Sequence, residues 1–153
     1  MARTFFILLL LFATASSHAE KRPEAFNTID KLFAAMSKFD HQVMRSTVTD
    51  SFILLEHGEV WTIEDLVKVV KPSSYTRTNY FSIINYEQQG DLLTVNYWNK
   101  ANFTQKNNSE EVIWLESAVL AKVDGNWLLT QMHSTRLPAG KTPDKVTFIQ
   151  QKL

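Results

Sequence analysis

Glu116 and His133 are the two titratable side chains whose positions could support chemistry. Each lies in a predicted strand, and a two-residue turn at Asp124-Gly125 would place the two residues directly opposite each other. The Cβ atoms of such cross-strand neighbours are about 5 Å apart. The carboxylate would favour the imidazolium, while apolar surroundings would oppose either charge alone. Such a pair can act as a general acid and a general base, and it can equally be a structural ion pair.

Other catalytic arrangements have little support in the sequence. His41, His57 and His133 have neither His-x-His nor His-x-x-x-His spacing, so no metal site is predicted. The sequence has no cysteine, no Gly-x-Ser-x-Gly elbow and no glycine-rich phosphate-binding motif, which argues against thiol, serine-hydrolase and common nucleotide chemistry. No cofactor is predicted. The segment Glu56-His57-Gly58-Glu59 is a further candidate, because it lies between the first predicted strand and a helix that would roof the fold.

The N-terminal half of the chain is predicted to be mainly helical. Apolar residues recur at steps of three and four, which predicts an amphipathic helix over residues 24–38. Asp40 is the expected N-cap of a short second helix, and residues 51–55 are a predicted strand. Thr62-Ile63-Glu64-Asp65 predicts a capping box that begins a third helix, which Pro72 ends.

Beyond Pro72 the apolar period changes from that of a helix to that of a strand. Four strands are predicted, at residues 80–88, 92–104, 110–123 and 127–136. Helices followed by an antiparallel meander predict an α+β fold with the helices packed on one face of the sheet. Residues 139–153 form a polar tail, in which Val146 and Phe148 could form a short edge strand.

The alternation along these strands defines one face that is rich in aromatic residues. A two-residue turn at Gln89-Gly90 would place Tyr86 opposite Leu93, and a pairing of Thr104 with Ser109 would set Tyr97 beside Glu116. A one-residue slip would move one strand's side chains to the other face. Small-molecule sites combine apolar walls with a few convergent polar groups. Besides Glu116 and His133, the residues expected to line such a pocket are Tyr80, Tyr97, Trp114, Trp127, Gln131 and Thr135.

The expected ligand of this pocket is a small apolar or carbonyl-bearing molecule. Ser134, next to His133, is expected on the opposite face of the sheet. Lys68, Lys71 and Arg77 are expected on a solvated rim.

The opposite face of the predicted sheet is also apolar. It carries Trp98, Leu115, Leu128 and Met132. Because the helices can cover only one face, we expect the other to meet a second copy of the chain in a homodimer.

Residues 1–19 are predicted to be a cleaved signal peptide. Arg3 precedes an apolar run over residues 5–15, and Ser17-His18-Ala19 supplies small residues before a mature N-terminus at Glu20. The apolar run is shorter than the ~20 residues that span a bilayer. We therefore expect an exported protein, periplasmic or secreted, with no membrane attachment after cleavage and with one domain over residues 20–138.

The charge balance limits the classes of partner. The chain has 16 basic and 16 acidic side chains and a formal net charge of zero, which argues against a nucleic-acid backbone binder. Asn102-Phe103-Thr104 and Asn107-Asn108-Ser109 match the N-glycosylation tripeptide, which matters only if the source is a eukaryote.

The order helix, helix, strand, helix and four-stranded meander resembles the nuclear transport factor 2-like (SnoaL-like) cone fold. The strings over residues 114–120, 124–127 and 133–137 resemble the last two strands of an exported bacterial branch of uncharacterised domains. The resemblance implies a curved, mostly antiparallel sheet (a cone or cystatin-like roll) with N-terminal helices in its concave face, a pocket inside the cone and frequent dimerisation through the sheet. Characterised members include ketosteroid isomerases, polyketide cyclases, dehydratases, kinase association domains and transport adaptors.

The resemblance leaves the function open, because one fold hosts many functions. The Asp/Tyr pattern of ketosteroid isomerases cannot be matched residue by residue in this sequence. The leading interpretation is an exported small-molecule-binding domain with an aromatic-lined pocket. One alternative is an acid–base lyase or isomerase that uses Glu116 and His133. The other is a non-catalytic dimeric assembly module.

Overall fold

Three helices precede most of the sheet, and local sequence signals explain where each begins and ends. The computed structural model describes residues 22–152. Helix α1 (Phe26–Lys38) buries its apolar stripe and ends at Phe39, whose φ of 57° is left-handed. Helix α2 (His41–Ser46) begins where the Asp40 side chain accepts a hydrogen bond from the Val43 backbone N–H at 3.0 Å. Helix α3 (Ile63–Val69) begins with the predicted capping box. The predicted signal peptide, residues 1–19, and the cleavage site at Glu20 lie outside the described residues and stay predictions.

A seven-stranded sheet forms the other layer. Its strands are β1 (Val48–Glu56), β2 (Glu59–Trp61), β3 (Thr76–Gln89), β4 (Leu92–Gln105), β5 (Asn108–Val123), β6 (Asn126–Arg136) and β7 (Ile149–Gln150). Their order is β2-β1-β6-β5-β4-β3-β7, and every pairing is antiparallel except β1 with β6. The sheet is curved and open, which confirms the predicted α+β fold. Strand β2 was not expected, and the edge strand of the tail lies three residues beyond Val146.

Two of the three predicted hairpin pairings are correct. At Asp124-Gly125 both residues have positive φ, 49° and 82°, as a two-residue type I′ turn requires. Thr104 pairs with Ser109, so Tyr97 does lie opposite Glu116. The β3–β4 turn instead consists of Gly90 and Asp91, because Gln89 pairs with Leu92. Tyr86 therefore pairs with Val95 rather than with Leu93.

Two β-bulges change which side chains face the helices. In β6, Leu129 pairs with Leu120 but Gln131 pairs with Val119, so Thr130 is an extra residue. In β3, Ile84 is extra in the same way, between Ile83 and Asn85. Because side chains alternate with a period of two, each extra residue moves the rest of its strand to the other face.

The hydrophobic core lies between α1 and the concave face of the sheet. Phe26 and Phe33 contact Phe81 edge to face, with ring centroids 5.6 and 5.3 Å apart, and Phe26 contacts Tyr97 at 5.2 Å. These pairs add to the area burial because edge-to-face rings attract each other. Within residues 22–152, no helix is long and apolar enough to cross a membrane.

Candidate functional site

A cavity of about 260 Å³ opens between the concave face of the sheet and helices α1 and α3. Its walls are mainly apolar, and its few polar side chains come from β1, β3, β4, β5 and β6. The apolar wall is formed by Leu32, Phe33, Met36, Leu54, Trp61, Leu66, Val69, Val70, Trp114 and Met132, and the polar lining by Glu56, His57, Arg77, Asn99, Glu116 and Ser134. The volume lies just below the roughly 300–1,000 Å³ of typical ligand pockets, which suits a small ligand.

Glu116 is the buried carboxyl at the polar end of this cavity, with 4% of its surface exposed. Its Oε1 accepts hydrogen bonds from Asn99 Nδ2 at 3.1 Å and from the Ser134 hydroxyl at 3.3 Å. Its Oε2, the Tyr97 hydroxyl and Asn99 Oδ1 are buried without a hydrogen-bond partner among the described residues. Buried polar atoms are normally paired, so this cluster has unused capacity for a ligand or a water molecule.

Burial raises the pKa of Glu116 from 4.5 to about 7, because the ionised form loses its hydration. The hydrogen bond from Asn99, the nearby Tyr97 hydroxyl and the positive charge of Arg77 lower the pKa, while the Glu56 carboxylate raises it further. The carboxyl is therefore divided between its protonated and ionised forms near neutral pH. A group in this state can donate or accept a proton at little cost.

Arg77 places a guanidinium group in the same cavity. Its Cζ lies 5.3 Å from the Phe33 ring centroid and 6.0 Å from that of Trp114, within the range of cation–π attraction. Burial lowers the pKa of Arg77 to about 10, and the carboxylates of Glu116 and Glu56 raise it. The side chain thus stays cationic at neutral pH. The prediction of a solvated rim position for Arg77 is wrong, because β3 begins at Thr76 and carries Arg77, Asn79 and Phe81 on its inner face.

Glu56 ends β1 and His57 follows it, and both line the cavity. His57 Nε2 is 3.4 Å from Glu56 Oε1, and His57 has a left-handed φ of 52° in the turn before β2. Burial raises the pKa of Glu56, and the charges of His57 and Arg77 lower it. The segment that the sequence indicated as a further candidate therefore lies at the cavity, with its function still a prediction.

The predicted pairing of Glu116 with His133 is wrong. Glu116 lies opposite Ser134, and His133 lies opposite Ser117. The bulge at Thr130 is the cause, because it turns His133 to the outer face and Ser134 to the inner one. Ser134, which was expected on the outer face, instead donates its hydroxyl to the Glu116 carboxyl.

The other predicted pocket residues divide between the two faces. Trp114 lines the cavity, and Tyr97 is buried beside Glu116. Trp127 packs against the core but lies outside the cavity lining. Tyr80 is on the outer face, where Lys100 Nζ lies 4.9 Å from its ring centroid. The binding roles of these residues stay predictions.

Gln131 and Thr135 follow the bulge and share the displacement of His133. Thr135 is exposed and lines a groove of the outer face together with His133. Gln131 is half-buried and outside the cavity lining. Met132, predicted at a dimer face, is instead 3% exposed and inside the cavity wall. The three-residue step from Leu129 to Met132 was the available signal, since it breaks the alternation of apolar residues.

Metal-binding side chains do not cluster in the part of the chain that the structure describes. Among residues 22–152, no group of three or more His, Cys, Asp or Glu side chains could hold a metal ion.

Known proteins resemble this chain in fold rather than in sequence. No protein-family model and no curated protein match the chain. An NTF2-like protein of unknown function in nutrient uptake from Rhodospirillum rubrum aligns over 76% of this chain and 100% of its own, with a TM-score of 0.63 and 15% identity. The chain has the nuclear transport factor 2-like cone fold.

Two further cone-fold structures illustrate the range of proteins that share this architecture. A ketosteroid isomerase-like protein from Erwinia carotovora atroseptica matches with a TM-score of 0.58 and 16% identity, over 73% of this chain and 92% of its own. The CamKII hub homology domain of Chlamydamonas reinhardtii matches with a TM-score of 0.67 and 16% identity, over 75% and 97%. At these identities the likeness concerns the fold alone.

Proposed function

We propose that this cone-fold domain binds a small, largely apolar molecule whose carbonyl oxygen lies beside Glu116. The observation that carries the proposal is the Glu116 carboxyl, whose Oε2 has no partner among the described residues at the polar end of an otherwise apolar cavity. When protonated, this carboxyl donates an O–H hydrogen bond to a carbonyl oxygen. An unsatisfied buried group costs roughly 1–3 kcal/mol, so a ligand that pairs with it gains affinity.

The walls of the cavity support the same ligand class. Phe33, Trp114 and Met132 offer apolar surface, while Glu116 and Arg77 are the hydrogen-bond donors that a carbonyl needs. A ketosteroid isomerase-like neighbour has the same fold, so a ligand site inside the cone is consistent with the architecture.

The test compares acetophenone with ethylbenzene, a pair that differs in one carbonyl group, by chemical-shift titration of residues 20–153. We expect acetophenone to bind more tightly. Its affinity should fall as the pH rises through about 7, because Glu116 then loses the proton that it donates. Glu116→Gln keeps a donor at every pH and should make the affinity independent of pH.

The matched control is Glu111→Gln, which changes an exposed carboxylate on the same strand, β5. This variant should bind as the unmodified protein does, with the same pH dependence. Equal affinities for the two compounds, or a pH dependence that survives Glu116→Gln, would contradict the proposal. Mass spectrometry of molecules retained by the purified protein then identifies the natural ligand.

A second candidate function is self-assembly through the outer face of the sheet. Leu115 is 41% and Ile84 48% exposed on this face, where Trp98 and Leu128 are half-buried. Exposed apolar patches of this kind mark interaction surfaces. A hub homology domain is among the proteins with this fold, which supports assembly of copies of the chain.

Sedimentation equilibrium at tens of micromolar, roughly the range where weak association is detected, tests the assembly. We expect about twice the chain mass. Leu115→Glu should lower it, because a carboxylate in an apolar interface is costly. Val60→Glu, at a residue that is 68% exposed on the short strand β2, is the control and should leave the mass unchanged. A monomer before any substitution would refute this candidate.

Export remains part of the proposal, on the strength of the charge and apolar run within residues 1–19. N-terminal sequencing of exported protein should begin at or near Glu20. Soluble exported protein that retains Met1 would refute this expectation.

A further inference from the structure

Arg77 is connected to the C-terminal segment by a chain of side-chain amides. Its Nε donates a hydrogen bond to Asn79 Oδ1 at 2.7 Å. Asn79 Nδ2 donates to Gln151 Oε1 at 2.8 Å, and Gln151 Nε2 donates to the backbone carbonyl of Asp30 at 2.5 Å. The chain thus joins the residue after β7, the inner face of β3 and helix α1.

The direction of every bond in this chain follows from the chemistry at its two ends. A backbone carbonyl can only accept, so Asp30 requires Gln151 to turn its amide nitrogen toward α1 and its oxygen toward Asn79. Asn79 must then present its nitrogen to Gln151 and its oxygen to Arg77. A guanidinium group can only donate hydrogen bonds, so the Asn79 oxygen, which accepts, must face Arg77.

Burial makes these orientations costly to change. Asn79 is 2% and Gln151 4% exposed, although Gln151 lies in the predicted polar tail. The Gln151 backbone N–H also donates to the Asn79 carbonyl at 2.9 Å, which extends the pairing of β7 with β3. Asn79 Nδ2 donates further to the Ser37 hydroxyl at 2.9 Å. An amide turned the wrong way would leave buried groups unpaired.

We infer that Gln151 is a positioning residue for the cavity, which through Asn79 holds the Arg77 guanidinium in place beside the ligand site. Gln151 is not among the residues that line the cavity. Its effect on binding rests on the proposed function, but its effect on Arg77 does not and can be measured without a ligand.

The experiment compares Gln151→Leu and Gln151→Ala with Gln150→Leu in residues 20–153. Leucine fills the space of Gln151 without forming hydrogen bonds. Alanine leaves room for water and serves as the second variant if the leucine variant does not fold. Gln150 is the matched control, because it is the adjacent glutamine, at the end of β7, and is exposed. Two NMR measurements are made, the hydrogen exchange of the Arg77 Nε–H and the pKa of the Glu116 carboxyl.

Both Gln151 variants should increase the exchange rate of the Arg77 Nε–H roughly tenfold or more, since the bond that protects it is loosened. The Glu116 pKa should rise in the same variants, because the Arg77 charge that lowers it is no longer held nearby. Gln150→Leu should change neither value. A loss of stability alone would leave the Glu116 pKa where it was.

Unchanged Arg77 exchange and an unchanged Glu116 pKa in a folded Gln151 variant would overturn the inference, as would equal changes in the Gln150 variant. Acetophenone titration of the same proteins separates this result from the proposed function. If acetophenone does not bind at all, the proposed function fails while the two NMR measurements still decide the role of Gln151.

Discussion

Glu116 and His133 lie on adjacent strands in opposite environments, and they miss direct pairing by one residue. Glu116 is 4% exposed on the concave face, next to Asn99 and Ser134. His133 is exposed on the outer face, in a groove with Leu115 and Thr135. One extra residue, Thr130, separates the two outcomes. Residue type alone therefore did not decide which titratable group became part of the cavity.

The difference shows that environment, rather than identity, determines the chemistry of these groups. Glutamate ordinarily titrates well below neutrality, and burial raises the pKa of Glu116 to about 7. Histidine is the side chain that ordinarily titrates near neutrality. On the inner face, the pKa of Glu116 comes close to that of an ordinary histidine.

Exchange of Met132 and His133 (Met132→His with His133→Met) should have the largest effect, because it reverses the two environments without changing the register. The imidazole then lies in the cavity wall and the methionine on the outer face. Exposing a buried methionine and burying an imidazole should reduce the free energy of unfolding by more than about 4 kcal/mol. Urea denaturation, followed by tryptophan fluorescence, measures the loss.

His133→Met alone is the control for this exchange. It keeps Met132 in the cavity wall and changes only an exposed side chain. Its cost should be less than about 0.5 kcal/mol. An exchange variant as stable as this control would show that the sheet tolerates the reversed pattern.

Replacement of Glu116 should have the next largest effect, visible in the pH dependence of stability. The pKa of Glu116 is raised from 4.5 to about 7 in the folded protein, so the folded state binds this proton more tightly than the unfolded chain. The stabilising contribution is complete below about pH 4.5, is lost as the pH rises toward 7, and stays absent above. The free energy of unfolding of the unmodified protein, relative to Glu116→Gln, should fall by roughly 3 kcal/mol across that range.

Urea denaturation at a series of pH values measures this difference. Comparison with Glu116→Gln cancels the contributions of Glu56 and Asp30, whose pKa values are raised by burial as well. A relative stability that does not change with pH would show that Glu116 is ordinarily hydrated.

Replacement of His133 should have the smallest effect. His133→Gln on the exposed face should change the free energy of unfolding by less than about 0.5 kcal/mol. Combined with Glu116→Gln, it should be additive within roughly 0.5 kcal/mol, because the two side chains point to opposite faces. A coupling energy well above that value, from a double-mutant cycle, would place them in contact and contradict the observed register.

Local signals in the sequence predicted most of the fold. The Thr62 capping box, the Asp40 cap and the Asp124-Gly125 turn each depend on hydrogen bonds or backbone angles within a few residues, and all three were predicted correctly. The pairing of Tyr97 with Glu116 followed from one hairpin in the same way. Such local interactions depend on short stretches of sequence, so residue type and spacing are enough to predict them.

The sequence alone determined the order of helices and strands, the apolar stripe of α1 and the presence of a buried polar group near Glu116. Only the tertiary structure decided which polar groups meet there. Thr130 forms a bulge in β6, which pairs with β5 on one side and with β1 on the other. Arg77 faces the cavity from β3 and donates a hydrogen bond to Asn79, which in turn donates one to Gln151. These constraints join residues far apart in the chain, and a strand's alternation by itself is compatible with either face of the sheet.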